Sequence, residues 1–450
     1  MKLIAFRGLQ GVSAALMSAQ TLALIAALFD KRRHGLVFGV YGAVAGLAAI
    51  LGPVVGGFLV DADVLGWGWR AIFFVNVPLG VLSCLLAHRR LPDAREPAPG
   101  RVDVPGVVMS ATALFLLLYP LALGREMGWP PILWVMIGTA GILLALFALH
   151  ELRVDARGGT PLLRPQLFAS RRFTVGLLLS LLFFSVFAGF FFTVSISAQV
   201  GLGFSAFRTG MLALPFAIGA AVGSLCSPRV VVRLTAPHTL TAGSLAVGAG
   251  FVWLAIIIEP AAETLPWPGI LGPLVLGGLG TGLFIAPLQA VILSDTTEST
   301  VGTATGTIPT VQQIGASIGL AVVTLFFFGQ VAGQTAETVP VVRAELVAAL
   351  PDSPVRPVLH VAVADRFASC AGEQLRSAHP ERPAPACAGG PTSPAIAAVG
   401  AQARPWTQDA ARSVTARTFL AALRTTLVTL GLVAVAIAVL TTTLRTRQSP

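Results

Sequence analysis

The chain has 450 residues, of which 55% are apolar and only 11% charged, with a net charge of +10 at neutral pH. A soluble domain carries about a quarter charged residues, so this composition excludes a water-soluble protein and points to an integral membrane one. The positive balance does not imply nucleic acid, because the arginines stand between apolar runs rather than on one basic domain.

Eleven apolar segments follow one another: Leu3–Leu28, Leu36–Val60, Ala71–Ala87, Val104–Leu123, Ile132–Leu149, Phe173–Val200, Thr209–Ser227, Leu240–Ile258, Gly269–Leu293, Val301–Gly329 and Phe419–Leu440. A helix of about 20 residues crosses the hydrocarbon core, and backbone groups cannot stay unpaired there, so each segment is expected to be helical. The second contains GLAAILGPVVGG, Gly46 to Gly57. Pro53 removes an amide donor there, so a bend is expected, and the glycines leave a bare flank for another helix. The sixth is crowded with Phe183, Phe184, Phe187, Phe190, Phe191 and Phe192, which can face lipid, pack, or line an apolar pocket. Trp67, Trp69, Trp129 and Trp267 flank segment ends, where indoles anchor at the interface. The long connection Gln330–Ala416 is rich in Pro, Ala and Arg and is expected to be only partly ordered.

Loop charges set an orientation. With the N-terminus outside, the inner side holds sixteen basic residues: Lys31, Arg32 and Arg33; Arg89, Arg90, Arg95 and Arg101; Arg153, Arg157, Arg164, Arg171 and Arg172; Arg229 and Arg233; Arg445 and Arg447. The short outer connections hold Arg70, Arg125 and Arg208. This asymmetry predicts a cytoplasmic C-terminus. Cys370 and Cys387 then fall outside, where a disulfide and two separate thiols both fit; Cys84 and Cys226 lie in apolar runs.

An internal repeat is visible. Gly8, Gly11 and Gln20 recur as Gly277, Gly280 and Gln289 at an offset of 269, and Gly35, Gly39, Ala48 and Gly52 match Gly302, Gly306, Gly315 and Gly319 at 267. The two-residue difference falls in a loop. The implied architecture is two homologous helical halves in parallel orientation.

Several stretches resemble a known family. RGLQGVSAALMSAQTLALI (Arg7 to Ile25), LGPVVGG (Leu51 to Gly57) and WRAIFFVNVPLG (Trp69 to Gly80) look like drug:proton antiporters of the major facilitator superfamily, in its fourteen-span branch. The likeness continues through GLGTGLFIAPLQ (Gly278 to Gln289) and GTATGTIPTVQQIGASIGLA (Gly302 to Ala321) to the last span. It implies an all-α membrane bundle in two pseudo-symmetric halves, with about eleven spans present and the family's first three absent. On this alignment residues 1–88 are the remainder of the N-terminal half and 89–103 an inner linker. Residues 104–150 are two inserted spans, 151–172 a second inner linker, and 173–445 the C-terminal half containing outer loop 330–416. The glycine-spaced antiporter motif falls on Gly39, Ala48, Gly52, Pro53, Gly56 and Gly57; Ala48 stands where the family usually has glycine, and close packing is expected to survive.

The resemblance gives Arg7 a role in proton coupling, with Gln10 and Gly11 in the same motif; the plainer alternative is that Arg7 snorkels to the outer surface. Proton coupling needs a titratable group shifted by its surroundings, yet Asp61, Asp63, Glu126 and Glu259 sit at outer ends and Asp103 and Asp295 at inner ends. A carrier carboxylate is therefore expected in the absent helices. Gln10, Ser13, Gln20, Asn76, Gln199, Gln289, Gln312 and Gln313 are candidates to line a central cavity, or to serve as hydrogen-bond glue between helices. No phosphate-cradling loop and no metal-ligand spacing occurs, so neither an enzyme nor a cofactor is expected.

The expected function is secondary active transport: proton-coupled efflux of amphipathic drugs or secondary metabolites, from a bacterial inner membrane, by a monomer working with lipid, substrate and protons. A truncated, non-transporting membrane protein and a nutrient importer are the alternatives.

Overall fold

The computed structural model describes residues 2–63, 66–90, 103–125, 127–259, 261–377, 384–388 and 394–444. Helices α1 (Lys2–Leu28), α2 (Lys31–Asp61), α3 (Ala71–Phe74) and α4 (Asn76–Arg90) form the first group. Helices α5 (Val104–Leu123) and α6 (Pro131–Ala156) pair as a hairpin, and short α7 (Gln166–Ala169) leads into α8 (Arg171–Ile196). Then come α9 (Ala206–Leu234), α10 (Ala236–Ile257), α11 (Leu271–Ile292), α12 (Glu298–Ala349), α13 (His360–Arg376), α14 (Pro385–Ala388) and α15 (Pro394–Thr441). Among the described residues there is no strand, and ten helical segments are long and apolar enough to cross a membrane. The predicted crossing at Leu36–Val60 lies within α2, an unbroken helix of 31 residues that is not among those ten.

Local chemistry sets the helix starts. The Asp103, Ser170 and Ser205 side chains each accept the backbone N–H three residues on, satisfying donors that have no partner inside the helix. The third predicted crossing is interrupted at Val75, between α3 and α4. Pro78 cannot donate to the Phe74 carbonyl, so the ladder loses a rung at this point.

The buried interior belongs to α8–α12 and α15, with Phe173, Phe183, Phe190, Phe216, Phe284 and Phe327 all buried. By contrast α1, α4, α5 and α6 keep most side chains on the outside, an apolar surface of the kind lipid covers. The α5–α6 hairpin touches the rest where the Arg125 guanidinium sits 3.3 Å over the Phe328 ring of α12.

The connection expected to be partly ordered is instead largely helical in its described residues. Helix α12 runs past the predicted crossing to Ala349, and α15 begins well before Phe419. Val339, Val342, Leu346 and Leu350 share one face and pack with Ala364 and Ala371 of α13 and Ala410 and Val414 of α15. Burying that face offsets the ordering cost that composition alone suggested would prevail. The Cys370 and Cys387 sulfurs lie 2.04 Å apart, at bonding distance. Arg417 fastens this helical cap to the bundle by ion pairs of 2.8 Å to both Glu263 and Glu345.

Candidate functional site

Helices α2 and α9 run antiparallel in close contact, because the chain places small residues along their seam. An added Cβ at Gly39 would stand 2.8 Å from the Ser224 carbonyl oxygen, at Gly42 3.1 Å from the Ser224 hydroxyl, and at Gly46 3.6 Å from the Ala220 Cβ. At Gly57 it would meet the Phe207 backbone nitrogen at 2.6 Å. A side chain at Gly39 or Gly57 would strike backbone, which cannot rotate aside. The seam is therefore tightest at Gly39 and Gly57.

Between Gly46 and Gly57 the same helix faces open space. Among the described residues, a would-be Cβ at Gly52 meets no atom of another element within 4 Å, and one at Gly56 only Ile72 at 3.8 Å. Gly52, Gly56 and Gly57 border a cavity of about 590 Å³ whose other walls include Phe190, Phe191, Phe192, Gln199, Thr209 and Phe216. Its floor is stacked aromatic rings: Phe190 lies on Phe251 at 4.3 Å and on Phe216 at 5.3 Å. The cavity can accept an apolar, ring-bearing molecule, with few polar groups to orient it. The phenylalanines of α8 thus divide between core packing and cavity lining.

The expected site residues do not all converge. Gln199 lines this cavity and donates to the Ser195 hydroxyl at 2.7 Å. Gln289 is only 5% exposed, and its amide oxygen has no hydrogen-bond partner among the described residues. Gln312 is half-buried, whereas Gln10, Ser13, Gln20, Asn76 and Gln313 lie on exposed faces. Ser13 donates to the Leu9 carbonyl and Asn76 to the Ile72 carbonyl, both within their own helical turns. Ala48 is exposed and so lies off the α9 seam; its methyl group is not what sets the helix spacing. The side chains of Arg7 and Pro53 lie outside the described residues, as do Glu126, Arg95, Arg101, Arg445 and Arg447.

A second cavity, of about 890 Å³, opens at the arginine-rich end of the seam, bounded by His34, Pro228, His238, Pro287 and Arg172. Nearby, Asp295 accepts from the Ser170 hydroxyl at 2.7 Å and from Arg172 at 3.0 Å. Burial opposes its ionisation, but these two donors hold the Asp295 carboxyl below the ordinary carboxylate range. This pair ties the start of α8 to the end of α11. The sequence reading missed it, together with the contacts of Phe207 and Ser224, since no spacing rule links residues more than a hundred positions apart.

A sequence pattern described as Major Facilitator Superfamily matches residues 2–320. The chain is 36% identical over 338 residues to the "Probable actinorhodin transporter" of Streptomyces coelicolor, covering 75% of this chain and 58% of that protein. It is 34% identical over 336 residues to the puromycin resistance protein of Streptomyces alboniger, covering 74% and 64%. To the tetracenomycin C resistance and export protein of Streptomyces glaucescens it is 31% identical over 324 residues, covering 71% and 58%. The chain thus spans between 58% and 64% of the length of these three relatives.

Proposed function

Because the chain belongs to the major facilitator superfamily, we propose that it acts in secondary active export of small amphipathic compounds, drugs or secondary metabolites, in exchange for protons across a bacterial plasma membrane. The observation that carries this reading is the glycine-lined α2–α9 seam with a phenylalanine-walled cavity on its flank. Names of relatives that transport or resist antibiotics support it.

In this mechanism the group α1–α4 tilts against the group α8–α15. Backbone contact at Gly39 and Gly57 seals the seam against leakage, and the apolar cavity holds the cargo. Arg7 takes part in proton coupling. The sixteen basic residues face the cytoplasm, the C-terminus with them, and the working unit is a single chain.

Drug susceptibility in a pump-deficient bacterial host tests the reading. The wild-type chain should raise tolerance to amphipathic antibiotics, and Arg7→Ala should abolish that gain at equal expression. A host no more tolerant than one with an empty vector would overturn it. That result would favour the second reading, a non-transporting membrane protein.

A further inference from the structure

The connection between α5 and α6 brings three ligand-type side chains together at the arginine-rich end of that hairpin. Asp103 caps α5, its Oδ1 accepting the Gly106 N–H at 3.1 Å. His150, near the end of α6, places Nε2 3.0 and 3.1 Å from the two Asp103 oxygens. Its neighbour Glu151 is 2% exposed and accepts the Leu163 N–H at 2.8 Å through Oε2. The other oxygen, Oε1, is buried and, among the described residues, meets no donor; it faces the Asp103 carboxyl.

That orphaned oxygen is aimed into the cluster. A Cβ built on Gly106 would collide with Asp103 Oδ2 and stand 2.7 Å from Glu151 Oε1, so both carboxylates converge above the same glycine. Two carboxylates sharing a buried site cannot both stay charged unless a cation lies between them. One imidazole nitrogen and two carboxylate oxygens, all within 4.8 Å of one another, supply the donors. Bonds of about 2.0–2.2 Å put ligand atoms about 3.4 Å apart in a tetrahedral site, so a set spread over as much as 4.8 Å must close by up to about 1.4 Å, through rotamer changes of the three side chains.

We propose that Asp103, His150 and Glu151 bind a first-row divalent cation, Zn2+ or Mn2+, which clips α5, α6 and the chain at Leu163 together. A cation takes the place of the hydrogen between His150 and Asp103 and gives Glu151 Oε1 the partner it lacks. An imidazole among oxygen donors favours first-row metals over Mg2+ or Ca2+. Three protein ligands leave room for water, so the ion is a fastener between helices with no chemistry assigned to it.

The test uses tag-free, chelator-treated full chain in detergent, titrated with Zn2+ alone by calorimetry and with Mn2+ alone by paramagnetic resonance. One equivalent should bind per chain. His150→Ala and Glu151→Gln should each weaken binding at least tenfold, while His88→Ala, at an exposed position outside the cluster, should bind like wild type. Equal binding in wild type and both cluster variants would overturn the proposal. So would a wild type that binds neither ion but shows an infrared protonated-carboxyl band lost in Glu151→Gln, because a proton would then bridge the pair. Should the variants fail to fold, the wild type alone decides: Zn2+ must raise its apparent melting temperature and a chelator reverse the rise, and no rise refutes the site.

Discussion

A disulfide across the α2–α9 seam offers a direct measure of how close the two helices run. The would-be Cβ of Gly46 stands 3.6 Å from the Ala220 Cβ, inside the roughly 3.5–4.5 Å that a disulfide requires. The double variant Gly46→Cys, Ala220→Cys, with Cys84 and Cys226 changed to serine, should therefore oxidise readily without backbone movement. The closed loop is roughly 175 residues, for which loop-closure entropy gives about 5 kcal/mol as an upper limit on stabilisation. The apparent melting temperature of the oxidised protein should exceed that of the reduced protein. Polyethylene-glycol maleimide labelling followed by gel electrophoresis counts the free thiols. The control pair Gly11→Cys, Ala220→Cys should stay reduced, since no atom lies within 4 Å of a Cβ at Gly11. If the seam also tilts during export, oxidation should remove antibiotic tolerance and a reductant restore it. Failure of Gly46 and Ala220 to crosslink, or crosslinking equal to the control, would refute the seam.

Gly57, packed against α9, and Gly52, on the open stretch beside it, should respond with opposite signs. Gly57→Ala must push back the Phe207 backbone and should destabilise by about 1–3 kcal/mol, whereas Gly52→Ala meets no atom and should stabilise by up to about 1 kcal/mol through helix propensity, both read by thermal unfolding in detergent. Arg417→Gln should loosen the helical cap by about 1 kcal/mol, a small figure because Glu263 and Glu345 are half exposed, and limited proteolysis of segment 330–416 should accelerate. The Ser413 hydroxyl, ahead of Arg417, holds the Glu263 carboxyl below its ordinary value against the effect of burial. Its contribution is therefore full at neutral pH and is lost as pH falls through that lowered value, so cap proteolysis should rise on acidification in wild type and less so in Glu263→Gln.

Crossings were legible because hydrocarbon leaves a long apolar run no alternative to a helix. The cap was not, because Pro, Ala and Arg in Gln330–Ala416 hide the spacing of Val339, Val342, Leu346 and Leu350, which matters only once α13 and α15 supply surfaces to meet it. Composition measures the cost of ordering a segment; it does not contain the partner that offsets it. The same limit hid the cluster at the α5–α6 hairpin. His150 stands 47 positions from Asp103, so no local ligand spacing exists, and the hairpin alone brings them together. Within the glycine motif the sequence named Gly39, Ala48, Gly52, Gly56 and Gly57 without telling their surroundings apart: Gly39 and Gly57 touch α9, Gly52 borders the cavity, and Ala48 lies on an exposed face.

The internal repeat separates sequence likeness from equivalence of contact. Gly277 and Gly280 lie in the buried part of α11, and an added Cβ at Gly280 would stand 2.6 Å from the Val247 nitrogen of α10. At their counterparts on α1, Gly8 and Gly11, an added Cβ would meet no atom of another element within 4 Å among the described residues. Glycine costs about 1 kcal/mol relative to alanine inside a helix, a cost that close packing offsets on α11 and that nothing described offsets on α1. Gly280→Ala should accordingly lower the apparent melting temperature or abolish monodisperse folding, while Gly8→Ala and Gly11→Ala should raise it. Alanine effects of the same sign at Gly8 and Gly280 would mean that the two copies of the pattern pack alike, and the open face of α1 would have to be abandoned.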